Sequence, residues 1–194
     1  MPMISARDGT QLYVKDWGEG RPVVLIHGWP LNADSWETQA VGLAEAGHRV
    51  ISYDRRGFGR SDQPWDGYDY DTLADDLAAV IEATGVQDAA IVGFSMGGGE
   101  VARYVSRHGA RGVGRLAFIA SVAPGLLKSE ANPDGATADL FEGMRDGLRK
   151  DRPGFLRGFF KDFYGQGLMS GVSDAALDWT QGMAMMASPR ATLE

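Results

Sequence analysis

Gly93-Phe94-Ser95-Met96-Gly97 sets a serine between two glycines at the spacing G-x-S-x-G, and a hydroxyl held on such a turn can attack a carbonyl carbon. Ala89-Ala90-Ile91-Val92 before it is short, apolar and partly β-branched, as a buried strand requires, and Gly98 to His108 after it reads as a helix. The glycines have a steric task. A serine on so sharp a strand-to-helix corner sits in strained backbone, and positions 93 and 97 must carry no side chain to collide with the neighbouring strand and helix. Ser95 Oγ is then exposed above the sheet. The N–H of Met96 opens the helix, has no intrahelical acceptor and lies at the positive end of the dipole, so it can stabilise a developing oxyanion. The competing reading is a serine in an ordinary glycine-rich βα turn.

The elements that would position this corner run in a regular order. Ile4 to Trp17 reads as a hairpin about the pair Asp8-Gly9 and is expected to form an antiparallel edge. Pro22-Val23-Val24-Leu25-Ile26 is a continuous apolar run, the mark of a central strand covered on both faces, with His27-Gly28-Trp29-Pro30 at its carboxyl end. Asn32 to Ser35 can cap a helix from Trp36 to Ala46 that Gly47 ends. Arg49 to Tyr53 is the next strand. The loop Asp54 to Ser61 after it lacks the third glycine and the lysine of a phosphate cradle, and reads as a structural turn under the site. Asp71 is the expected N-cap of a helix carrying Leu73, Leu77, Val80 and Ile81, with Asp75 and Asp76 early in it and Gly85 at its end. Leu116 to Ala123 is one more apolar strand.

Strands thus alternate with helices from residue 22 onward, which predicts an α/β fold with a doubly wound, mostly parallel sheet over residues 1–124. From residue 125 to 194 the character changes. Phe141, Met144 and Leu148 stand at helical spacing, an aromatic stretch runs from Phe155 to Tyr164, and Leu177, Trp179, Met183, Met185 and Met186 follow, so this part is expected to be a helical cap. Such a stripe packs a core or lines a cavity over the nucleophile.

Composition narrows the function further. The 194 residues carry a net charge of -7, and the 19 Lys and Arg are scattered apart from Arg55-Arg56, which argues against nucleic acid as a partner. Without cysteine there is no disulfide and no thiolate chemistry, and no His pair or His-carboxylate cluster has metal-ligand spacing, so neither a metal nor another cofactor is expected. No apolar run approaches the ~18 residues of a membrane span and the first fifteen residues lack a signal-peptide core, so a cytoplasmic location is the default.

Taken together, His27-Gly28-Trp29-Pro30, the loop Asp54-Arg55-Arg56-Gly57-Phe58-Gly59-Arg60-Ser61-Asp62 with Gln63-Pro64-Trp65, Tyr70-Asp71-Thr72-x-Ala74-Asp75-Asp76, and Gly93 to Gly99 resemble the α/β-hydrolase fold, and within it the cofactor-free bacterial haloperoxidase and arylesterase group. The resemblance runs through the chain, less sharply in the cap. It implies a serine esterase of small carboxylic esters working through an acyl-enzyme, with perhydrolysis of carboxylic acids by peroxide as a side activity. It makes Ser95 the nucleophile and the N–H groups of Trp29 and Met96 the oxyanion hole. Phe94, Val122, Leu126, Phe159 and Phe163, with Trp29, would shape the substrate pocket.

In that fold the acid and the histidine follow the serine along the chain, after later strands. Here the sequence reaches Glu194 within the cap, and both partners and the last strands are missing from it. None of His27, His48 and His108 is suitably placed to replace the base. The strand from Leu116 would then be an open apolar edge, which disfavours a chain that is stable and soluble alone. The expectation is that a complementary C-terminal chain adds strands and supplies Asp and His; a homo-oligomer is compatible with the sequence. Two other classes stay open. One is a non-catalytic small-molecule-binding protein on the same fold; the other is a nucleotide-binding oxidoreductase, against which Ser95 and Met96 stand where G-x-G-x-x-G needs glycine spacing.

Overall fold

The computed structural model describes residues 3–122, 125–165 and 171–194. Its centre is a six-stranded sheet in the order β1-β2-β4-β3-β5-β6, formed by Met3–Ser5, Gln11–Trp17, Arg21–Ile26, His48–Tyr53, Ala89–Phe94 and Val113–Ile119 as β1 to β6. β1 and β2 pair antiparallel, as the Asp8-Gly9 turn predicts, and β2 joins β4 antiparallel. The β4-β3, β3-β5 and β5-β6 pairs are all parallel.

Alternation along β3 explains the layering. Val23 and Leu25 face α1 (Glu37–Glu45) and pack with Trp36, Ala40 and Val50. Val24 and Ile26 face the other way, toward α2 (Tyr70–Thr84) and α3 (Met96–His108), in a core with Ile51, Leu77, Val80, Ile91, Val101 and Tyr104. The sheet is therefore doubly wound, with β3 buried on both faces. Asn32 caps a single 3₁₀ turn, Ala33–Trp36, that leads into α1. The N-cap of α2 is Asp69 rather than Asp71: its carboxylate accepts from the N–H groups of both Asp71 and Thr72. Gly85 ends that helix in the left-handed conformation.

β6 starts earlier than the apolar run suggests, at Val113, and ends at Ile119, because Ala120 adopts φ 43° and turns the chain out of the sheet. The rest of the expected strand, to Ala123, and the boundary at Pro124 reach outside the described residues. Among the described residues β6 pairs only with β5, and its apolar side chains lie open, with Leu116 40%, Phe118 47% and Ile119 44% exposed.

The cap holds α4 (Ala138–Phe163) and α5 (Asp174–Met185). α4 is two helices joined at Asp151, whose φ of -155° breaks the turn and whose carboxylate then caps the second half through Gly154 N–H at 3.0 Å. Pro153 is therefore in the first turn of a new helix, where a missing N–H costs nothing. Leu148, Leu156, Phe160, Leu177 and Met183 form the cap core, which packs on Leu31 and Trp29 from the loop after β3. After α5 the chain returns to the loop that follows β4: Ala187 and Ala191 pack on Phe58, and Ser188 N–H donates to Gly57 O at 2.7 Å.

An exposed strand edge with apolar side chains is a template for pairing with another chain. Phe118→Lys is expected to reduce concentration-dependent association in sedimentation velocity, while shifting unfolding stability by less than about 0.5 kcal/mol because the side chain is already largely exposed.

Candidate active site

Ser95 joins β5 to α3 at φ 51° and ψ -120°, a conformation costly for any residue with a Cβ. Three backbone bonds hold it there. Ser95 N–H donates to Ile119 O at 3.0 Å, and Ser95 O accepts from Gly98 N–H at 3.0 Å and Val122 N–H at 3.2 Å. The flanking glycines are needed for close approach. A Cβ on Gly93 would stand 2.6 Å from Gly97 O, and one on Gly97 would stand 2.6 Å from Ile26 O and 2.9 Å from His27 O, so the first turn of α3 rests directly on the end of β3.

The β3-β5 register sets Ile26 opposite Gly93 and so carries the segment after β3 past Ser95. A Cβ added to Gly28 would lie 3.1 Å from Ser95 Cβ. The N–H of Trp29, one residue further, and that of Met96, the first residue of α3, have no acceptor among the described residues. Two amides without an acceptor among the described residues thus come from the two segments that meet at Ser95. Ser95 itself is half-buried.

The histidines lie elsewhere or are occupied. His27 is fully buried; its Nε2 accepts from Arg55 N–H at 3.0 Å, which places the ring proton on Nδ1, 2.9 Å from Gly28 O. Burial, with the Arg55 charge beside it, holds its pKa well below the ordinary 6.5, so it stays neutral and serves as a brace. His48 begins β4 opposite Arg21, at the far end of the sheet, roughly 17 Å of strand from the carboxyl edge. His108 ends α3, about 18 Å along the helix from Met96, stacked on Tyr104 and 2.7 Å from Asp75. Among the described residues, no three His, Asp or Glu form a group able to hold a metal ion, and no helix is long and apolar enough to cross a membrane.

The pocket residues read from the sequence fall into two places. Phe94, Phe159 and Phe163 join Trp29 in a chain of ring contacts: Trp29 and Phe159 edge-on at 5.3 Å, Phe159 and Phe163 stacked at 5.9 Å, and Phe94 and Phe163 edge-on at 6.4 Å. Val122 and Leu126 line instead an open cleft of about 630 Å³ on the outer side of α3, with Tyr70, Arg103 and Phe141. The separation follows from Phe94 pointing between α1 and the cap, where it also meets Trp36 at 6.3 Å, while residue 122 has already crossed to the α3 side.

Beneath the loop after β3 lies a set of buried charge pairs; the sequence reading named Asp54, Arg55, Arg56 and Asp76 but neither their partners nor Glu100. Arg55 Nε donates to Glu100 Oε2 at 2.8 Å with both side chains fully buried, and Tyr53 OH donates to the other Glu100 oxygen. Arg56 makes a bidentate pair with Asp76 at 2.6 Å, so Asp76 serves a partner rather than only a helix dipole. Asp54 accepts from Ala33 N–H at 2.8 Å and from Arg60 Nε at 2.7 Å. One signal for this was present: Glu100 interrupts the apolar face Gly97, Val101, Tyr104 of α3.

These features define a class that similarity to known proteins makes definite. The profile of the alpha/beta hydrolase fold matches residues 21–175. A non-heme chloroperoxidase of Kitasatospora aureofaciens is 42% identical over 189 residues, covering 95% of this chain and 68% of that protein. A bifunctional esterase/perhydrolase of Acinetobacter calcoaceticus is likewise 42% identical, over 94% of this chain and 68% of the relative. Among solved structures, a bromoperoxidase from Bacillus anthracis superposes with a TM-score of 0.93 at 46% identity, covering 99% of this chain and 71% of the other, and an esterase from Exiguobacterium antarcticum with 0.93 at 37%, covering 98% and 70%. The chain belongs to the alpha/beta hydrolase fold family, in its non-heme haloperoxidase and esterase group.

Because the His27 ring is neutral when folded, whereas an unfolded imidazole gains a proton near 6.5, the unfolded state binds one proton more below that pH, and stability falls as pH falls through it. Nitrogen-detected NMR of the His27 imidazole should show a single Nδ1–H tautomer that persists as pH is lowered through the ordinary 6.5.

Proposed function

We propose that this chain carries the nucleophile and oxyanion hole of a serine hydrolase of carboxylic esters, arylesterase-like and acting through an acyl-enzyme. The observation that carries the reading is Ser95 at its strained corner with the Gly28-Trp29 segment against it. Ser95 Oγ attacks the ester carbonyl carbon and gives its proton to a base. The negative oxygen so formed accepts from Trp29 N–H and Met96 N–H, and the alcohol leaves with a proton. Water then cleaves the acyl-serine to the acid; hydrogen peroxide in its place gives the peracid, the perhydrolase side activity. Trp29, Phe159, Phe163 and Phe94 give an apolar, aromatic face for the acyl or aryl group, with Val122 and Leu126 bordering the α3 side.

The base and the acid that orients it belong to a further segment, carried on a complementary C-terminal chain or on a longer form of this one. Two observations support this part: β6 offers an unpaired edge beside the elbow, and relatives of this chain extend to about one and a half times its span. An added parallel strand at β6 would set its carboxyl end next to Ile119, which bonds Ser95. A second reading, a binding protein that keeps the pocket without chemistry, is favoured by one observation: among the described residues no histidine reaches Ser95.

A fluorophosphonate probe added to the chain together with its C-terminal complement should label Ser95, located by peptide mass spectrometry. Ser95→Ala should abolish labelling and lower ester turnover by more than about 10³-fold. Retention of a bound ester with no labelling of the completed protein is the outcome that selects the binding-protein reading.

A further inference from the structure

The two amides assigned to the oxyanion hole are carried by different elements, and one side chain spans them. Arg55 Nη2 donates to His27 O at 2.9 Å and its backbone N–H to His27 Nε2 at 3.0 Å, while its Nε donates to Glu100 on α3, four residues after Met96. Four residues are about one helical turn, so Glu100 lies beneath the end of α3 that presents Met96 N–H. The residue before Arg55 grips the other end of the same loop, since Asp54 Oδ1 accepts from Ala33 N–H at 2.8 Å. The segment from His27 to Ala33 is therefore held at both ends by adjacent residues of the β4 loop.

We propose that the buried Arg55–Glu100 pair, supported by Tyr53 and Asp54, is a positioning device that fixes the Trp29 amide relative to the Met96 amide; it rests on the reading of those two amides as the oxyanion hole. The alternative is a pair that only stabilises the core, and the arrangement disfavours it. A buried ion pair repays little more than its own desolvation, and apolar side chains of like volume hold a core as well. Arg55 Nη1 is moreover buried without a partner among the described residues, a penalty that a purely stabilising contact avoids. What the guanidinium does supply is direction: a rigid planar fork with one arm on the loop carbonyl and one on the helix carboxylate. Direction matters here, because a misplacement of about 1 Å at a reacting group can cost about 10²-fold in rate.

The test is amide hydrogen exchange on the chain together with its C-terminal complement, wild type against Arg55→Lys and Glu100→Gln. Lysine keeps the charge but cannot reach both His27 O and Glu100, so it is the milder variant should Glu100→Gln fail to fold. Leu31 N–H, which donates to Gly28 O at 3.0 Å, reports on the loop, and Leu77 in α2 reports on the core. The expected result is exchange at Leu31 faster by about tenfold or more, with a clearly smaller change at Leu77. In the double variant Arg55→Met with Glu100→Leu, the melting temperature should recover toward wild type while Leu31 stays fast. Equal changes at the two amides, or recovery of Leu31 together with melting temperature, would overturn the proposal. The exchange readout needs no chemistry at Ser95. Failure of the probe to label Ser95 in the completed protein therefore sinks the hydrolase reading alone, and leaves a loop brace to be judged on exchange.

Discussion

Everything at the carboxyl edge of this sheet depends on one unfavourable backbone conformation. A non-glycine residue held at φ 51° and ψ -120° costs of the order of 1–3 kcal/mol, and it persists only where its surroundings leave no alternative. Here the surroundings are three backbone bonds, from Ile119 on one side and from Gly98 and Val122 on the other, together with a helix start that lies on Ile26 O and His27 O with room for nothing larger than hydrogen at Gly97. The strain at Ser95 is thus borne by β3, β6 and α3 jointly. The same close packing sets the segment after β3 against Ser95, where a Cβ on Gly28 would lie 3.1 Å from the serine Cβ.

Below that corner the molecule uses charge where the rest of the core uses hydrocarbon. Asp54, Arg55, Arg56, Asp76 and Glu100 are all buried, and each has an opposite charge within hydrogen-bond distance. A buried charge without a partner is strongly destabilising, so these side chains allow few arrangements of the loop that carries them. Arg56 ties that loop to α2 and Arg55 ties it to α3, so the two helices on one face and the segment after β3 share a common anchor. Apolar packing of the kind seen around Leu77 and Val80 is tolerant of small shifts; paired guanidinium and carboxylate groups, being directional, are not.

Much of this was legible in the sequence, and the reason is local. The turn glycines, the apolar runs of β3 and β5 and the G-x-S-x-G spacing each report on neighbours within a few residues, so the hairpin, the parallel core, the strand-to-helix corner and the glycine stops at Gly47 and Gly85 followed from them. The N-cap of α2 was misplaced by two residues because Asp69 and Asp71 are equally good caps by composition, and only the fold decides which carboxylate meets free amides. The buried pairs were not legible, since Arg55 and Glu100 lie 45 residues apart and a charged residue in a loop or helix is ordinarily exposed. The pocket residues came as one set from the family resemblance; in the structure Val122 and Leu126 line the cleft on the α3 side, while Phe94, Phe159 and Phe163 meet in a chain of ring contacts.

The break at Asp151 has a consequence for how the cap can vary. A continuous helix of that length would lock the angular setting of Phe159 and Phe163 to every residue back to Ala138, so that a single insertion anywhere would rotate the rings by about 100°. With the turn interrupted and restarted on its own cap, the outer half can lengthen, shorten or tilt as a separate lever. Phe159 and Phe163 keep their bearing, because their phase is counted from residue 151.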